Sequence, residues 1–140
     1  MNLKNAMQNF IKSGSKDDEI VLINELNKAE LLAPIILSSP LSKPDGGAIY
    51  EEEGSNIKFI ILEDEINDWG YYPAFTDRDE LLKWRSDSEQ ETLSLRLKDF
   101  YAMLSHENNV YKGVVINAYG ENFVLSTELL GSILNKSLLS

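Results

Sequence analysis

Two short apolar runs joined by a turn constrain the architecture of this 140-residue chain more than any other feature. Gly113-Val114-Val115-Ile116-Asn117 is compact and β-branched, and Tyr119-Gly120-Glu121-Asn122 turns the chain into Phe123-Val124-Leu125. The Gly and Asn residues of that turn suit a hairpin. Two strands alone do not make a stable sheet, so other segments must pair with them and a second layer must cover them.

The N-terminal part supplies covering elements. Leu3, Ala6, Met7, Phe10 and Ile11 recur at helical spacing, and the pattern breaks at Ser13-Gly14-Ser15. Ser15 followed by Asp18 resembles a capping box, and Ile20, Ile23, Leu26 and Ala29 predict a second amphipathic helix to about Glu30. At the other end, Ser126 is placed to cap a final helix with Leu129, Leu130, Ile133 and Leu134 as its buried stripe.

Between these helices the pattern becomes strand-like. Pro34 to Leu37 reads as a strand with Pro34 near its start, Ser39 to Gly47 as a loop, and Ala48 to Glu52 as a weak strand. Gly54-Ser55-Asn56 turns into Ile57 to Leu62, the expected central strand, and Tyr71 to Phe75 is a further strand after Gly70. Thr76 with Asp79, or Asp77 with Glu80, can cap a helix carrying Leu81, Leu82 and Trp84, which ends over Ser86 to Glu89. Thr92 to Leu97 alternates as a strand should, yet Leu93, Leu97, Phe100 and Leu104 also fit one helical face. A helix would leave Leu95 nearly opposite Leu93 and Leu97, so a strand with Leu93, Leu95 and Leu97 on one face, followed by a helix capped by Asp99, is preferred. The expectation is one α+β domain over residues 1–140: a mixed, mainly antiparallel sheet of about five to seven short strands, with helices packed on it.

Charge narrows the partners. Thirteen Lys and Arg against 23 Asp and Glu give a net charge of −10, which opposes binding to nucleic acid and favours encounter with a basic protein surface. The absence of Cys excludes disulfides, thiolate nucleophiles and Cys-ligated metals, and fits a cytoplasmic location. Asn2, Asn5, Gln8 and Asn9 interrupt the apolar residues of the N-terminus, so no signal peptide is read there, and no run approaches a membrane span.

Motifs with recognisable chemistry are few. Glu51-Glu52-Glu53 and Glu63-Asp64-Glu65 with Asp68 lack the spacing of a calcium loop and read as solvated charge. His106, the sole histidine, lies in a polar segment that looks like a helix terminus. No serine occupies a Gly-x-Ser-x-Gly elbow, and Asp45-Gly46-Gly47 lacks the rest of a P-loop. No catalytic, metal or cofactor-binding residues are assigned.

Three blocks carry a family resemblance. They are Tyr72-Pro73-Ala74-Phe75-Thr76-Asp77 leading to Glu80-Leu81-Leu82-Lys83-Trp84, then Lys112 to Asn117, then Gly120 to Ser126. In order and spacing the chain resembles the SseB N-terminal domain family, named for enhanced serine sensitivity. Ala118 departs from the pattern, because a proline commonly follows the family's Asn. The resemblance implies a compact α+β domain and assigns no reaction.

The functional expectation is a noncatalytic, cytoplasmic protein-interaction or regulatory module of this type. The candidate partner-binding residues are Trp69, Tyr71 and Tyr72 with the acids Glu63, Asp64, Glu65 and Asp68, because aromatic anchors beside an acidic loop suit a basic protein partner. Neighbouring strand residues face opposite sides, so the patch is expected to use Tyr71 or Tyr72, with at least one of the two in the core. A narrower version is an immunity-like protein masking a basic partner. The alternative is a small enzyme in which Asp64 or Asp68 converges with Asp77, which would require a pocket holding buried carboxylates.

Overall fold

The computed structural model describes residues 2–37, 57–64, 66–67, 69–86 and 89–139. The expected loop and weak strand over 39–52, the turn at 54–56, the Glu51–Glu53 run, and Glu65 and Asp68 lie outside the described residues.

The chain begins with two paired helices, α1 (Leu3–Ser13) and α2 (Lys16–Lys28). Asn2 caps the first by accepting from Asn5 N at 2.8 Å, and Ser15 caps the second by accepting from Asp18 N at 3.1 Å. Leu3, Ala6 and Met7 of α1 are buried, whereas Ile11 is exposed. On α2 the buried residues are Leu22 and Leu26, one helical turn apart; Ile20 is exposed, so the expected stripe is rotated. The rotation follows from where α2 packs, between α1 and the last helix.

Strands β1 (Leu31–Leu37), β2 (Ile57–Phe59), β3 (Leu62–Asp64) and β4 (Trp69–Ala74) come next, then α3 (Arg78–Trp84), β5 (Thr92–Leu95) and α4 (Leu97–Leu104). The hairpin strands β6 (Gly113–Ile116) and β7 (Phe123–Ser126) lead into α5 (Thr127–Leu139). Among the described residues the strands form two sheets, ordered β2-β1-β5 and β3-β4-β6-β7. A single bridge between Leu32 and Phe75 joins them, with backbone hydrogen bonds of 2.8 and 2.9 Å. Every pairing between named strands is antiparallel except β4 with β6. The architecture is the expected α+β.

The central strand is not the expected one. Ile57 to Leu62 divides into β2 and β3, which belong to different sheets, and each sits at the end of its described strand order. Ile57 is accordingly exposed. The fully buried strand is β6, flanked on both edges by β4 and β7. Pro34 is also not at a strand start; it lies where β1 passes from pairing with β5 to pairing with β2. The buried Gln90 side chain donates to the Ile35 carbonyl at 2.8 Å beside it.

In the ambiguous segment the strand does precede a helix, but the helix begins sooner than alternation suggests. Leu93 and Leu95 pair with Ala33 and Leu31, while Leu97 is the first residue of α4 and is buried with Phe100 and Leu104. Asp99 is therefore inside the first turn rather than at the cap, where its carboxylate accepts from Arg96 N at 2.9 Å. Ser126 caps α5 as expected, accepting from Leu129 N at 3.1 Å. Leu130 and Ile133 of that helix are buried; Leu129 is exposed.

The core joins α1, α2, α4 and α5 to the face of the β4–β6–β7 sheet through Met7, Leu26, Phe100, Val114, Ile116 and Leu130. Tyr72 lies among Phe59, Phe100 and Tyr111 at centroid distances of 5.7, 5.9 and 5.3 Å, in edge or tilted contacts. Phe75 instead stacks on Trp84 at 5.6 Å, which ties α3 to the sheet.

Candidate functional site

The β3–β4 hairpin presents the candidate residues. Its register sets Leu62 against Tyr71, Glu63 against Gly70 and Asp64 against Trp69. Asp64 closes the turn: its Oδ1 accepts from Ile66 N at 3.1 Å and Asn67 N at 3.4 Å, and its Oδ2 accepts from Asn67 Nδ2 at 2.9 Å. This is the Asx chemistry that lets an Asp side chain replace a backbone turn. The Asn67 side-chain hydrogen bond, with the two backbone N–H groups adding to it, holds the Asp64 carboxyl below its ordinary pKa.

The aromatic candidates separate. Trp69 is 42% exposed, Tyr71 is half-buried, and Tyr72 is 6% exposed. Tyr72 is a core residue and does not belong to a surface patch. Its hydroxyl accepts from Asn109 Nδ2 at 2.9 Å, and burial raises its pKa. Asn109 Oδ1 in turn accepts from Tyr111 N at 2.8 Å. Through Asn109 the buried tyrosine therefore positions the 109–111 segment, which sequence reasoning did not connect with the aromatic group.

That segment forms the opposite wall of a depression beside Trp69. The cavity, about 490 Å³, is lined by Ile61, Glu63, Asp64, Trp69, Gly70, Val110 and Tyr111. Lys112 N donates to Gly70 O at 2.8 Å and keeps the segment alongside β4. A Cβ on Gly70 would lie 2.8 Å from Tyr111 Cδ1, so the bare backbone is what lets the tyrosine ring close on the strand. Val110 is 72% exposed, and Ile66 at the hairpin tip is 94% exposed. Lys112 Nζ stands 5.8 Å from the Trp69 ring centroid. Glu63, Asp64 and Trp69 thus all border one depression.

A second polar cluster lies past the carboxyl ends of the parallel strands β4 and β6. Asn117 is fully buried with φ of 53°. Its Oδ1 accepts from Thr76 N at 3.0 Å, and its Nδ2 donates to Thr76 Oγ1 at 3.0 Å and to Glu121 Oε1 at 2.9 Å. Its carbonyl accepts from Gly120 N and Asn122 N, each at 2.8 Å, so the turn closes with Ala118 in place.

Glu80, 1% exposed, receives Lys4 Nζ at 2.5 Å and Lys83 Nζ at 2.9 Å on Oε2. Its Oε1 has no hydrogen-bond partner among the described residues. The Glu80 hydrogen bond raises the Lys4 pKa. Asp77 rather than Thr76 caps α3, accepting from Glu80 N at 2.9 Å. The i, i+3 spacings of Asp77, Glu80 and Lys83 were readable in the sequence, but the arrival of Lys4 from α1 was not.

Asp68 lies outside the described residues, and the acids that are described do not assemble as the enzyme alternative requires. Asp64 and Asp77 line different depressions, and the buried carboxylate, Glu80, is neutralised by two lysines. Among the described residues, no three His, Asp or Glu side chains are grouped to hold a metal ion. His106 is exposed just past α4, with its Nδ1 accepting from Asn108 N at 3.2 Å. No helix among the described residues is long and apolar enough to cross a membrane.

The fold is an α+β domain whose parallel β4–β6 pair is locked at its carboxyl end by Thr76, Asn117 and Glu121, all within the blocks that carry the resemblance. The family model described as SseB protein N-terminal domain matches residues 3–131, and the chain belongs to that family. Comparisons with curated proteins and with solved structures gave no match.

Proposed function

We propose that this chain is a noncatalytic cytoplasmic protein-interaction module whose partner docks on the surface around Trp69. The observation that carries this reading is the 42% exposure of Trp69 beside exposed Val110, on a depression that Glu63 and Asp64 also line. A half-exposed indole next to apolar neighbours offers contact area that a partner can desolvate, while flanking carboxylates steer a basic surface into register. With a net charge of −10, this chain attracts a basic partner over a second copy of itself.

Affinity capture from the native cytoplasm with three baits tests the reading: wild type, Trp69→Ala and Tyr119→Ala. Tyr119 is 65% exposed in the β6–β7 turn, at the other end of the sheet, and serves as the control aromatic. A partner held by wild type and Tyr119→Ala but released by Trp69→Ala supports the proposal. Equal retention by all three baits defeats it.

A further inference from the structure

We propose that the outer edge of β7 takes up an extended, uncharged apolar segment of a partner protein as an added strand. This surface is separate from the one around Trp69, and the two stand or fall independently. Among the described residues β7 pairs only with β6 and ends its sheet. Phe123, Val124 and Leu125 make no backbone hydrogen bond to a described residue beyond that pairing. A strand edge left in this way carries a row of N–H and C=O groups, and what satisfies such a row is another extended chain.

The edge opens on an apolar groove. Helix α5 touches both α2 and β7, and beside it those two elements leave a cavity of about 410 Å³. Val124 alternates with Phe123 and Leu125 across the pleat, yet all three line the cavity, so it follows the edge of the strand rather than either face. Buried Leu22, Leu26, Leu125 and Ile133 form its floor, and exposed Val124 and Leu129 form its lips. A strand added to β7 would turn every second side chain toward α2 and α5. The volume lies within the range of cavities that enclose a ligand, roughly 300–1,000 Å³.

Charge selects the occupant. No Lys, Arg or His lines the groove, and its two acids are already held: Glu19 by Lys16 at 3.3 Å, and Glu121 by Asn117 and Gln8 at 2.9 and 2.8 Å. A charged residue entering the groove would shed water without finding an unpaired counter-charge, whereas an apolar one meets apolar walls. A second copy of the chain fits less well. It would bring a further net charge of −10 to the contact, and the Phe123 and Leu125 side chains of its own β7 are packed against its own core, so they cannot fill the groove.

The test pans a phage library of random ten-residue peptides on the full chain. The enriched peptide is then synthesised and titrated into 15N-labelled protein. Its sequence should alternate apolar residues and carry no charge in the pairing stretch, and its shifts should centre on the amides of Phe123 to Leu125 and Leu129. Two further versions are each N-methylated at one of two adjacent central residues. An added strand pairs through one edge only, so one version should bind about tenfold more weakly and the other like the parent. Val124→Lys and Leu129→Lys, both changes on exposed side chains, should weaken binding about tenfold, while Ile66→Lys at the β3–β4 hairpin tip and Trp69→Ala should leave it unchanged.

Failure of any peptide to enrich overturns the proposal, as does a peptide whose shifts centre elsewhere. Equal binding of the two N-methylated versions removes the strand pairing. A dimer in sedimentation that Val124→Lys disperses would give the edge to a second copy and overturn the partner segment. Because Trp69→Ala leaves this groove intact, loss of the Trp69 surface and loss of this one are read separately.

Discussion

The buried carboxylate of Glu80 lies directly against Gly120: a Cβ on residue 120 would stand 2.5 Å from Glu80 Oε1. Glu80 cannot easily withdraw, because Lys4 and Lys83 hold its other oxygen from α1 and α3. One carboxylate therefore fastens two helices beside the β6–β7 turn, and the turn must present a glycine to it. Gly120→Ala should destabilise the protein by about 1–3 kcal/mol, the usual cost of inserting an atom into a packed site. Urea unfolding reads the loss. In the Glu80→Ala background the same change should cost much less, and an additive double-mutant cycle would show that the two residues do not oppose each other.

Asn117 provides a second test of this end of the sheet, because its backbone and side-chain contributions can be separated. Its left-handed conformation strains a residue with a Cβ, and its amide satisfies Thr76 and Glu121 in a fully buried position. Asn117→Ala leaves the Thr76 N–H unpaired, at a cost of about 1–3 kcal/mol, and keeps the strain. Asn117→Gly loses the same hydrogen bonds but relieves the strain, so it should be more stable than the alanine variant by about 1 kcal/mol. Equal midpoints for the two variants would mean that the positive φ has no energetic consequence.

How far the sequence reaches is visible in this cluster. The hairpin, the caps at Ser15 and Asp77 and the strand before α4 are local, set by turn residues and short periodicities, and they were legible. The division of Ile57 to Leu62 between two sheets was not, because an apolar run carries no mark of which neighbour it will pair with. Which of Tyr71 and Tyr72 is core stayed open for a related reason. Adjacent strand residues face opposite sides, and only the packing of Phe59, Phe100 and Tyr111 decides which side is core. Glu63, Asp64 and Trp69 can be grouped from the sequence because hairpin register keeps them neighbours in space as well. Val110 and Tyr111 come from the far side of α4 and left no such signal.

Glu121 connects the cluster to pH. Burial alone would raise its carboxyl, but hydrogen bonds from Asn117 and Gln8, its own backbone N–H and the nearby Lys4 charge outweigh that and hold the pKa below its ordinary value of 4.5. A carboxylate depressed in the folded state contributes stability that is present above the unfolded pKa and lost as pH falls through the folded one. Glu121→Gln should therefore be less stable than wild type at pH 6, with the gap narrowing as pH falls below about 4.5. Urea midpoints collected from pH 6 to pH 3 measure it, and a gap that stays constant across that range contradicts the assignment.

Trp69 and Tyr72 are three residues apart and should fail in different ways when truncated. Tyr72 is enclosed by three aromatic rings and bonded to Asn109, so Tyr72→Ala should lower stability by about 3 kcal/mol or more. Trp69 is 42% exposed, and its loss should cost folding much less. Under the proposed function its effect falls on binding. Once a partner is in hand, Trp69→Ala should chiefly accelerate dissociation, because an aromatic anchor holds a complex that has already formed. Glu63→Gln changes an exposed charge on the rim, so part of its effect should fall on association, which should slow and become less sensitive to salt as steering weakens. Stopped-flow or surface-capture kinetics at two ionic strengths separate the two. If Trp69→Ala folds normally and leaves the dissociation rate at its wild-type value, the indole is not an anchor. If Glu63→Gln leaves association and its salt dependence untouched, the acids beside it do not steer the partner.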